Sequence, residues 1–428
     1  MAVDFVKELK WRGLIHSVTP GTEDRLKAGP VTGYAGFDPT SSSLQIGNLV
    51  PIIMLTHLQR AGHKPIALVG GATGMVGDPS GKDEERNLMS PDEIRGNVER
   101  FKVQLRHFLD FDKGPLAAEM VNNYDWFEGM KFLEFLRDVG KHLTVGYMLA
   151  KDSVQNRMES GISFTEFSYQ LLQGYDFLHL YQHKRCELQL GGSDQWGNIT
   201  AGCELIRRKA GGEAFALTCP LITRSDGTKF GKSAAGERIW LDPRLTSPYR
   251  FFQFWLNAAD DDASKWLRVF SLLPEAEVLD IEAKHKAAPH TRALQHALAR
   301  DLCTRVHSEQ DYRRAMQTSE ILFGDGTTEA LQGLAEDDLL AAMEGVPRAT
   351  VSRDELSRGI NVVELLSART GIFASKGEAK RMLAGGGVSV NKAKIADAGA
   401  SVNAERLLQG KYLLVQKGKK NYHLVVAE

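Results

Sequence analysis

Residues 31–37 read Val-Thr-Gly-Tyr-Ala-Gly-Phe, and residues 64–70 read Lys-Pro-Ile-Ala-Leu-Val-Gly. Both runs have the apolar character of buried strands, and each is followed by a glycine-bearing turn and then by helical periodicity. Further apolar runs at residues 187–190 and 216–222 also end at polar, glycine-rich loops. This alternation of strand and helix is typical of a parallel sheet. The sequence therefore predicts an α/β fold with a Rossmann-like, doubly wound parallel sheet.

The 428 residues are enough for two to four domains, each with its own core. We predict that residues 1–222 form the α/β domain, with a mainly helical insertion at 115–165. Residues 223–323 begin with a basic loop and continue as an α-helical domain. Residues 324–358, rich in Gly, Asp, Glu and Thr, are predicted to be a linker with room for a short helix. Residues 359–428 have the pattern of a small α+β domain.

Composition narrows the class of protein. Hydrophobic residues make up 43% and charged residues 25%, and no apolar run approaches the length of a membrane span. The four cysteines lack Cys-x-x-Cys spacing, which argues against zinc and a disulfide framework and predicts a cytoplasmic location. From residue 351 onward there are 13 Lys and Arg against 7 Asp and Glu. This basic part predicts a polyanion partner, although a solvated lysine-rich surface explains the charge equally well.

Residues 40–48, Thr-Ser-Ser-Ser-Leu-Gln-Ile-Gly-Asn, join the first strand to an apolar helix. We call them the first phosphate segment. Ser43 is a candidate helix cap, after which backbone N–H groups and the helix dipole face an anion. Gly47 has no Cβ and admits a flat ring close to the backbone. Gln45 and Asn48 lie three apart, as donors to phosphate oxygens. An ordinary polar first turn is the alternative, and this segment alone hardly distinguishes the two.

Residues 229–233, Lys-Phe-Gly-Lys-Ser, are the second phosphate segment, with two lysines on a loop to neutralise a leaving pyrophosphate. Residues 227–233 have one residue too few between their glycines for a P-loop. The spacing of Gly71, Gly74 and Gly77 is not Gly-x-Gly-x-x-Gly either. The sequence therefore excludes a P-loop and argues against a dehydrogenase-type dinucleotide site.

Three polar side chains, Tyr169, Gln173 and Asp176, follow one face of a mostly apolar helix. Burying such groups unpaired costs roughly 1–3 kcal/mol each, so the stripe needs a partner. A helix face exposed to water explains any one of them alone. The loop at residues 191–198, Gly-Gly-Ser-Asp-Gln-Trp-Gly-Asn, is too rich in glycine, donors and acceptors for a plain turn.

Together with Tyr34 on the first strand and Asp78 after the second, these groups predict a polar pocket between strand ends. The segments resemble those of the bacterial tyrosyl-tRNA synthetases, which are class I aminoacyl-tRNA synthetases. The resemblance extends from the first strand to the C-terminal domain and rests on residues 34–40 (Tyr-Ala-Gly-Phe-Asp-Pro-Thr), 77–82 (Gly-Asp-Pro-Ser-Gly-Lys), 169–176 (Tyr-Gln-Leu-Leu-Gln-Gly-Tyr-Asp), 191–198 and 229–233.

The resemblance implies ATP-dependent attachment of L-tyrosine to tRNA(Tyr) in two steps. The tyrosine carboxylate would attack the α-phosphorus of ATP in line, giving tyrosyl-adenylate and pyrophosphate, and a ribose hydroxyl of the tRNA would then take the tyrosyl group. ATP would be a substrate, with Mg²⁺ carried by ATP and no dedicated metal site. The resemblance also implies a homodimer, with residues 115–165 as its interface, and neither a membrane nor a DNA partner.

The same resemblance implies roles for individual residues. Tyrosine would be held at its hydroxyl by Tyr34 and Asp176, at its ammonium group by Asp78, Tyr169 and Gln173, and near its carboxylate by Gln195. ATP would be bound by Gly36, Asp38, Thr40, Gly47, Gly192, Asp194, Lys229, Lys232 and Ser233. The catalytic groups would be Thr40, Gln45, Asn48, Lys82, Arg86, Lys229 and Lys232.

The C-terminal domain resembles the small RNA-binding fold shared with a ribosomal small-subunit protein. Its basic side chains suit phosphate contacts on structured RNA. The predicted tRNA contacts are Lys376, Lys380, Arg381, Lys392, Lys394, Lys417, Lys419 and Lys420.

Family members normally carry histidines at the positions of Gln45 and Asn48, so two alternatives stay open. One is an inactive paralogue that works as an RNA-binding protein, which the retained lysines of the second phosphate segment oppose. The other is a tryptophan-specific relative. A phenol hydroxyl both donates and accepts, whereas an indole only donates, so Tyr34 facing Asp176 favours tyrosine.

Overall fold

The computed structural model describes residues 4–80, 89–158, 161–228, 230–231, 236–324, 326–418 and 421–428. The chain divides into two compact units. The first comprises Met1–Thr246 with Phe254–Ser308, and the second comprises Ser247–Gln253 with Glu309–Glu428.

The first unit is built on a sheet whose described strands are β1 (Ser17–Val18), β2 (Thr32–Phe37), β3 (Lys64–Val69), β4 (Glu119–Asn122), β5 (Cys186–Gly192) and β6 (Phe215–Cys219). Their order is β1-β6-β5-β2-β3-β4. All neighbours are parallel except β1, which runs antiparallel to β6. The strand order reverses between β2 and β5, and such a reversal opens a crevice at the carboxyl ends of the strands. The predicted α/β class with a doubly wound parallel sheet is confirmed.

Helices cover both faces of this sheet. Leu49–Arg60 is buried along almost its whole length, and Phe164–Lys184 begins at a capping box formed by Ser163 and Glu166. The other described helices of the unit are Phe5–Arg12, Thr22–Lys27, Thr73–Val76, Pro91–Leu105, Tyr124–Phe127, Phe132–Asp138, Val145–Leu149, Asp152–Met158, Trp196–Ala210, Asp260–Phe270, Glu275–Ala287 and Ala293–Val306; Pro248–Leu256 spans both units. Within the described ranges, no helix is long and apolar enough to cross a membrane.

The segment at 115–165, predicted to be a mainly helical insertion, also holds a strand that the sequence did not predict. Its beginning, Glu119–Asn122, is β4, which pairs in parallel with β3 at the edge of the sheet. All four residues of β4 are partly exposed, so the strand has no buried apolar run by which the sequence could mark it. The described part of the remainder is mainly helical, with the helices Tyr124–Phe127, Phe132–Asp138, Val145–Leu149 and Asp152–Met158.

The second unit holds a sheet of order β10-β9-β12-β13-β7 and a separate pair, β11-β8. The strands are β7 (Arg348–Val351), β8 (Ile360–Asn361), β9 (Val388–Val390), β10 (Ala393–Lys394), β11 (Ser401–Val402), β12 (Tyr412–Lys417) and β13 (Asn421–Ala427). Its described helices are Glu309–Phe323, Thr328–Gln332, Glu336–Ala342, Arg353–Arg358, Val362–Glu364 and Lys376–Ala384, with a π-helical turn at Leu365–Arg369.

The segment predicted to be a linker, residues 324–358, is folded. It holds Thr328–Gln332, Glu336–Ala342 and β7, which pairs with β13. Its apolar side chains lie in a core cluster with side chains of β12 and β13, which explains why a segment of polar composition is ordered. The buried members are Leu331, Leu334, Leu339 and Met343.

A buried arginine, Arg12, caps the C-terminal end of the helix Asp260–Phe270. The guanidinium of Arg12, which is 2% exposed, donates to the carbonyl oxygens of Arg268 at 2.7 Å, Ser271 at 2.6 Å and Leu273 at 2.7 Å. Its Nε donates to Glu8 at 2.8 Å. Arg12 therefore ties the first helix of the chain to carbonyl groups that the helix end leaves without N–H partners.

Replacing Arg12 with Met should destabilise the first unit by roughly 2–5 kcal/mol, because the carbonyls and Glu8 lose a charged donor in a buried place. Urea unfolding followed by circular dichroism measures this loss. The matched control is Arg207→Met, which removes an exposed pair with Glu204 and should change stability little. Equal effects of the two variants would contradict the role of Arg12.

Candidate active site

The polar residues singled out in the sequence gather at the carboxyl edge of the sheet in the first unit. Asp38 follows β2, Asp78 lies on the chain after β3, and Asp194 follows β5. The helix Phe164–Lys184 brings further polar side chains to this edge. Because parallel strands end together, the fold collects in one place groups that lie far apart in the sequence.

Asp38 accepts two hydrogen bonds at the floor of this site. Thr73 donates to its Oδ1 at 2.7 Å, and the hydroxyl of Tyr169 donates to its Oδ2 at 2.7 Å. A Cβ on Gly70 would overlap Asp38 and Thr73, so a glycine is needed there. Burial and the nearby carboxylates of Asp38 and Asp78 raise the pKa of Tyr169 well above its ordinary value. The sequence predicted separate roles for Asp38 and Tyr169, and the structure joins them directly.

Asp176, which is 2% exposed, is held by two donors. Asn123 Nδ2 donates to its Oδ2 at 3.0 Å, and Trp126 Nε1 donates to its Oδ1 at 2.9 Å. Asn123 also donates to Thr73 Oγ1 at 2.9 Å and accepts from the backbone N–H of Ala72 at 2.7 Å. Burial raises the pKa of Asp176 to about 8, although both donors favour the carboxylate. The protonated form therefore predominates at pH 7 in the free protein.

Tyr34 lies on β2 with its ring against Phe177, the ring centroids 5.4 Å apart. Its hydroxyl is buried, and no described residue hydrogen-bonds it. Burial and then the Asp176 carboxylate raise its pKa well above the ordinary value. Leaving such a group unpaired costs roughly 1–3 kcal/mol, so the hydroxyl is suited to a polar ligand atom.

Asp78 is the centre of a second cluster. Gln195 Nε2 donates to its Oδ2 at 2.6 Å, and the backbone N–H of Ser80 donates to its Oδ1 at 2.9 Å. Asn198 Nδ2 lies 3.3 Å from Ser80 Oγ. Burial and the nearby Asp78 carboxylate raise the pKa of Asp194.

Gln173 is partly buried on the same helix as Tyr169 and Asp176. Gly192 is also partly buried, and a Cβ there would overlap the Asp194 carboxylate. The tyrosine-binding prediction thus falls on residues that line a single region of the first unit.

The first phosphate segment forms the short turn Ile46–Asn48 ahead of Leu49–Arg60. Its cap is Gln45, and the predicted cap Ser43 is buried with its hydroxyl donating to the Leu44 carbonyl at 2.8 Å. Gln45 and Asn48 form a reciprocal capping box, in which Gln45 N donates to Asn48 Oδ1 at 2.9 Å. The Asn48 amide oxygen thus accepts from the backbone, and its –NH₂ group remains a suitable donor to an anion.

Two of the glycines assigned to ATP, Gly36 and Gly47, leave open space. Gly36 and Gly47 are exposed, and a Cβ on Gly47 would have no heavy atom within 4 Å. Thr40 is partly buried, and its backbone N–H donates to the Asp38 carbonyl at 2.8 Å.

The second phosphate segment is described only at Phe230 and Gly231. Phe230 packs in an aromatic cluster, with ring centroids 5.0 Å from Trp266 and 5.2 Å from Phe270. The predicted site residues Lys82, Arg86, Lys229, Lys232 and Ser233 lie outside the described residues.

The chain after this segment returns to the first phosphate segment. Ile239 N donates to the Gly231 carbonyl at 3.3 Å, Ile46 N to the Ile239 carbonyl at 3.1 Å, and Leu241 N to the Leu44 carbonyl at 2.9 Å. Gly231 of the second phosphate segment and Ile46 of the first therefore both hydrogen-bond to the backbone of Ile239.

In the second unit, Lys376, Lys380, Arg381 and Lys394 are exposed. Lys392 Nζ donates to the Gly324 carbonyl at 2.9 Å. Lys417 Nζ lies 3.1 Å from Glu378 Oε1 and 4.3 Å from the centroid of the Phe373 ring. These two lysines thus have partners within the unit. Lys419 and Lys420 lie outside the described residues.

Sequence reasoning missed Asn123, Trp126, Thr73 and Asn198. Asn123 directly follows β4, and a polar residue after a strand of a parallel sheet is a signal for a site. That signal was lost because β4 itself was not recognised. Within the described ranges, no group of three His, Cys, Asp or Glu side chains is placed to hold a metal ion.

The parallel sheet with a reversal of strand order and a polar pocket at its carboxyl edge is the fold of a class I aminoacyl-tRNA synthetase. A family model described as tRNA synthetases class I (W and Y) matches residues 26–324. A second, described as the tyrosine--tRNA ligase SYY-like C-terminal domain, matches residues 338–425. The chain belongs to the tyrosine--tRNA ligase family.

Individual relatives agree with this assignment. The chain is 60% identical to a tyrosine--tRNA ligase of Cytophaga hutchinsonii, over 99% of both chains. It is 56% identical to a tyrosine--tRNA ligase of Bacteroides thetaiotaomicron, over 100% of both. A C-terminally truncated mitochondrial tyrosyl-tRNA synthetase of Aspergillus nidulans is similar in structure, with a TM-score of 0.66, 31% identity and coverage of 74% of this chain and 94% of that one. These relatives favour the tyrosine-specific family over the two alternatives.

Proposed function

We propose that this chain activates L-tyrosine with ATP in the described pocket and transfers it to tRNA(Tyr). The observation that carries the proposal is that the buried Tyr34 hydroxyl lies close enough to Asp176 for the Asp176 charge, after burial, to raise the pKa of Tyr34. The buried Tyr34 hydroxyl has no partner among the described residues, and the Asp176 carboxyl beside it is fixed by two donors. A phenol hydroxyl both donates and accepts, so it satisfies both groups. Phenylalanine would leave both unpaired, and such sites reject the analogue strongly.

The remaining pocket groups suit the other end of the amino acid. We assign the ammonium group to Asp78, Tyr169 and Gln173, and the carboxylate to the neighbourhood of Gln195. The hydrogen bonds from Gln195 and Ser80 to Asp78 support this assignment, because they orient the carboxylate before a cation arrives.

ATP is the second substrate, with Mg²⁺ carried on its phosphates. We assign its adenosine to the open surface formed by Gly36, Asp38, Gly192 and Asp194. We assign its phosphates to the turn Ile46–Asn48 with Thr40, Gly47, Gln45 and Asn48, and to the side chains Lys82, Arg86, Lys229, Lys232 and Ser233. The exposed glycines and the neighbouring phosphate segments support the placement.

The reaction needs no protein nucleophile. The tyrosine carboxylate attacks the α-phosphorus of ATP, and pyrophosphate leaves. The site contributes by holding both reactants in line and by stabilising charge on the phosphates through N–H dipoles and cations. A ribose hydroxyl of the terminal tRNA adenosine then attacks the adenylate, and AMP leaves.

We assign the contacts with the body of tRNA(Tyr) to the second unit. Its exposed cations Lys376, Lys380 and Arg381 lie on the helix Lys376–Ala384, and Lys394 lies on β10. A cytoplasmic location is part of the same proposal, and four free, mostly buried cysteines support it. So is the division into a catalytic domain at 1–222, a helical domain at 223–323 and an RNA-binding domain at 359–428, without the linker at 324–358, which holds two helices and a strand.

We further propose a homodimer formed through the helical part of residues 115–165. This surface exposes large apolar side chains: Phe132 is 64% exposed, Leu133 75%, Val145 62% and Phe164 69%. A group of such residues on the surface of a single chain is typical of a protein interface.

ATP–pyrophosphate exchange tests the proposed activity, run separately with tyrosine, phenylalanine and tryptophan. We expect exchange with tyrosine alone. Tyr34→Phe should lower kcat/KM for tyrosine roughly 3- to 10-fold, because it removes one neutral hydrogen bond, and should narrow the preference for tyrosine over phenylalanine. Tyr312→Phe, at a buried tyrosine of the second unit, should leave both unchanged. Exchange with none of the amino acids would identify an inactive paralogue, and exchange with tryptophan a tryptophan-specific relative.

Tyrosine binding should release a proton at pH 7. The raised pKa of Asp176, about 8, means that its carboxyl is mostly protonated in the free protein. A phenol donor favours the ionised form and lowers that pKa, so part of the bound proton leaves. Titration calorimetry in buffers of different ionisation enthalpy counts the protons. Asp176→Asn should release none at this position; equal release by both proteins would show that Asp176 is not the source.

Val145→Asp should shift the dimer toward monomer, because it places a charge in the apolar contact surface. Light scattering after size-exclusion chromatography measures the mass. The matched control is Val103→Asp, at a valine that is 63% exposed on the helix Pro91–Leu105, outside residues 115–165. A mass that Val145→Asp leaves unchanged would place the interface elsewhere.

A further inference from the structure

The indole that holds Asp176 is itself supported by a histidine. The rings of Trp126 and His179 are stacked, with centroids 4.4 Å apart and planes 16° from parallel. His179 lies three residues after Asp176 on the helix Phe164–Lys184, so the two side chains emerge from the same side of that helix. The helix Phe164–Lys184 therefore holds the Trp126 indole through two contacts, the stack on His179 and the hydrogen bond to Asp176.

The Trp126 residue also borders a cavity. The cavity has a volume of about 310 Å³, and its lining includes Trp126, Met130, Phe135, Val139, Tyr175 and Lys209. Close packing is what normally fixes a side chain in one rotamer, and a cavity removes that constraint on the side it occupies. Trp126, only partly buried, thus has room to turn away from Asp176. The contacts that oppose this turn include the hydrogen bond to Asp176 and the stack on His179.

We propose that His179 is a positioning residue for tyrosine recognition: its ring holds the Trp126 indole in place, so that Nε1–H stays on the Asp176 carboxyl. The inference rests on the proposed function, since it gives Asp176 its role at the phenol hydroxyl. His179 itself contacts neither substrate in this scheme.

The stack requires a flat ring rather than a charge. Burial, and then His183 and Lys184, lower the pKa of His179 to about 4, so its imidazole is neutral at pH 7. The ring of His183 follows at 4.4 Å, tilted by 39°, on the exposed side of His179. Of the three rings Trp126, His179 and His183, the ring of His183 contacts His179 and not Trp126. His183 therefore offers a matched control.

The first test compares three variants in pyrophosphate exchange. His179→Ala should raise KM for tyrosine roughly 3- to 10-fold, the loss expected for one aromatic pair, with kcat and KM for ATP nearly unchanged. The preference for tyrosine over phenylalanine should fall with it. His179→Phe should restore both values, and His183→Ala should leave them at wild-type level. An unchanged KM for tyrosine in His179→Ala, or no rescue by phenylalanine, would overturn the proposal.

A double-mutant cycle separates positioning from general loss of packing. Trp126→Phe keeps a ring and removes the N–H donor, so it should also raise KM for tyrosine. If His179 acts through Trp126, His179→Ala should cause little further change in that background. Two full, additive losses would overturn the proposal. The wild-type protein is measured alongside: no exchange with tyrosine there refutes the proposed function, whereas normal wild-type exchange with an unaffected His179→Ala refutes only the role of His179.

Discussion

The whole site depends on one constraint, that β2 pairs in parallel with β3 on one side and with β5 on the other. The register sets Tyr34 opposite Ile66 of β3 and Gln189 of β5. The chain leaves all three parallel strands at the same edge of the sheet. Asp38, Asp78 and Asp194 lie on the segments that follow these strands. The glycines at the strand ends allow this crowding, since a Cβ on Gly70 or Gly192 would overlap one of those carboxylates. The strand order thus sets the position of the pocket, and the side chains set its chemistry.

Two carboxyl groups of the pocket are oriented by neutral donors. Asp176 accepts from an amide and an indole, and Asp78 accepts from an amide and a backbone N–H. Neutral donors orient a carboxyl group without cancelling its charge, and the resulting proximity and burial raise the pKa of Asp176 and Asp194. Such a site favours ligands that bring a positive charge and a hydroxyl donor, and an amino acid with a phenol side chain has both.

The sequence alone predicted the parallel sheet and the stripe on the helix Phe164–Lys184, because both have strong periodicity. It failed where periodicity is weak. The four partly exposed residues of β4 carry no apolar run, so Asn123 and Trp126, which follow it, were missed. Residues 324–358 have a polar composition, and only tertiary contacts with β12 and β13 order their few apolar side chains. Local sequence also suggested Ser43 as a cap, whereas the reciprocal bonds of Gln45 and Asn48 take that place. The hydrogen-bond network is a long-range property that spacing along the chain does not encode.

The capping box at the first phosphate segment has a consequence for the electrostatics of the nucleotide end. Amide side chains do not ionise, so Gln45 and Asn48 carry the same charge at pH 5 and at pH 8. A pair of imidazoles at these positions would gain positive charge across that interval. In this chain the field at the turn Ile46–Asn48 is made by fixed backbone dipoles, and acidity leaves it constant. Asp176, whose pKa is raised to about 8 by burial, does change its charge near neutral pH, and it lies at the proposed tyrosine end of the site.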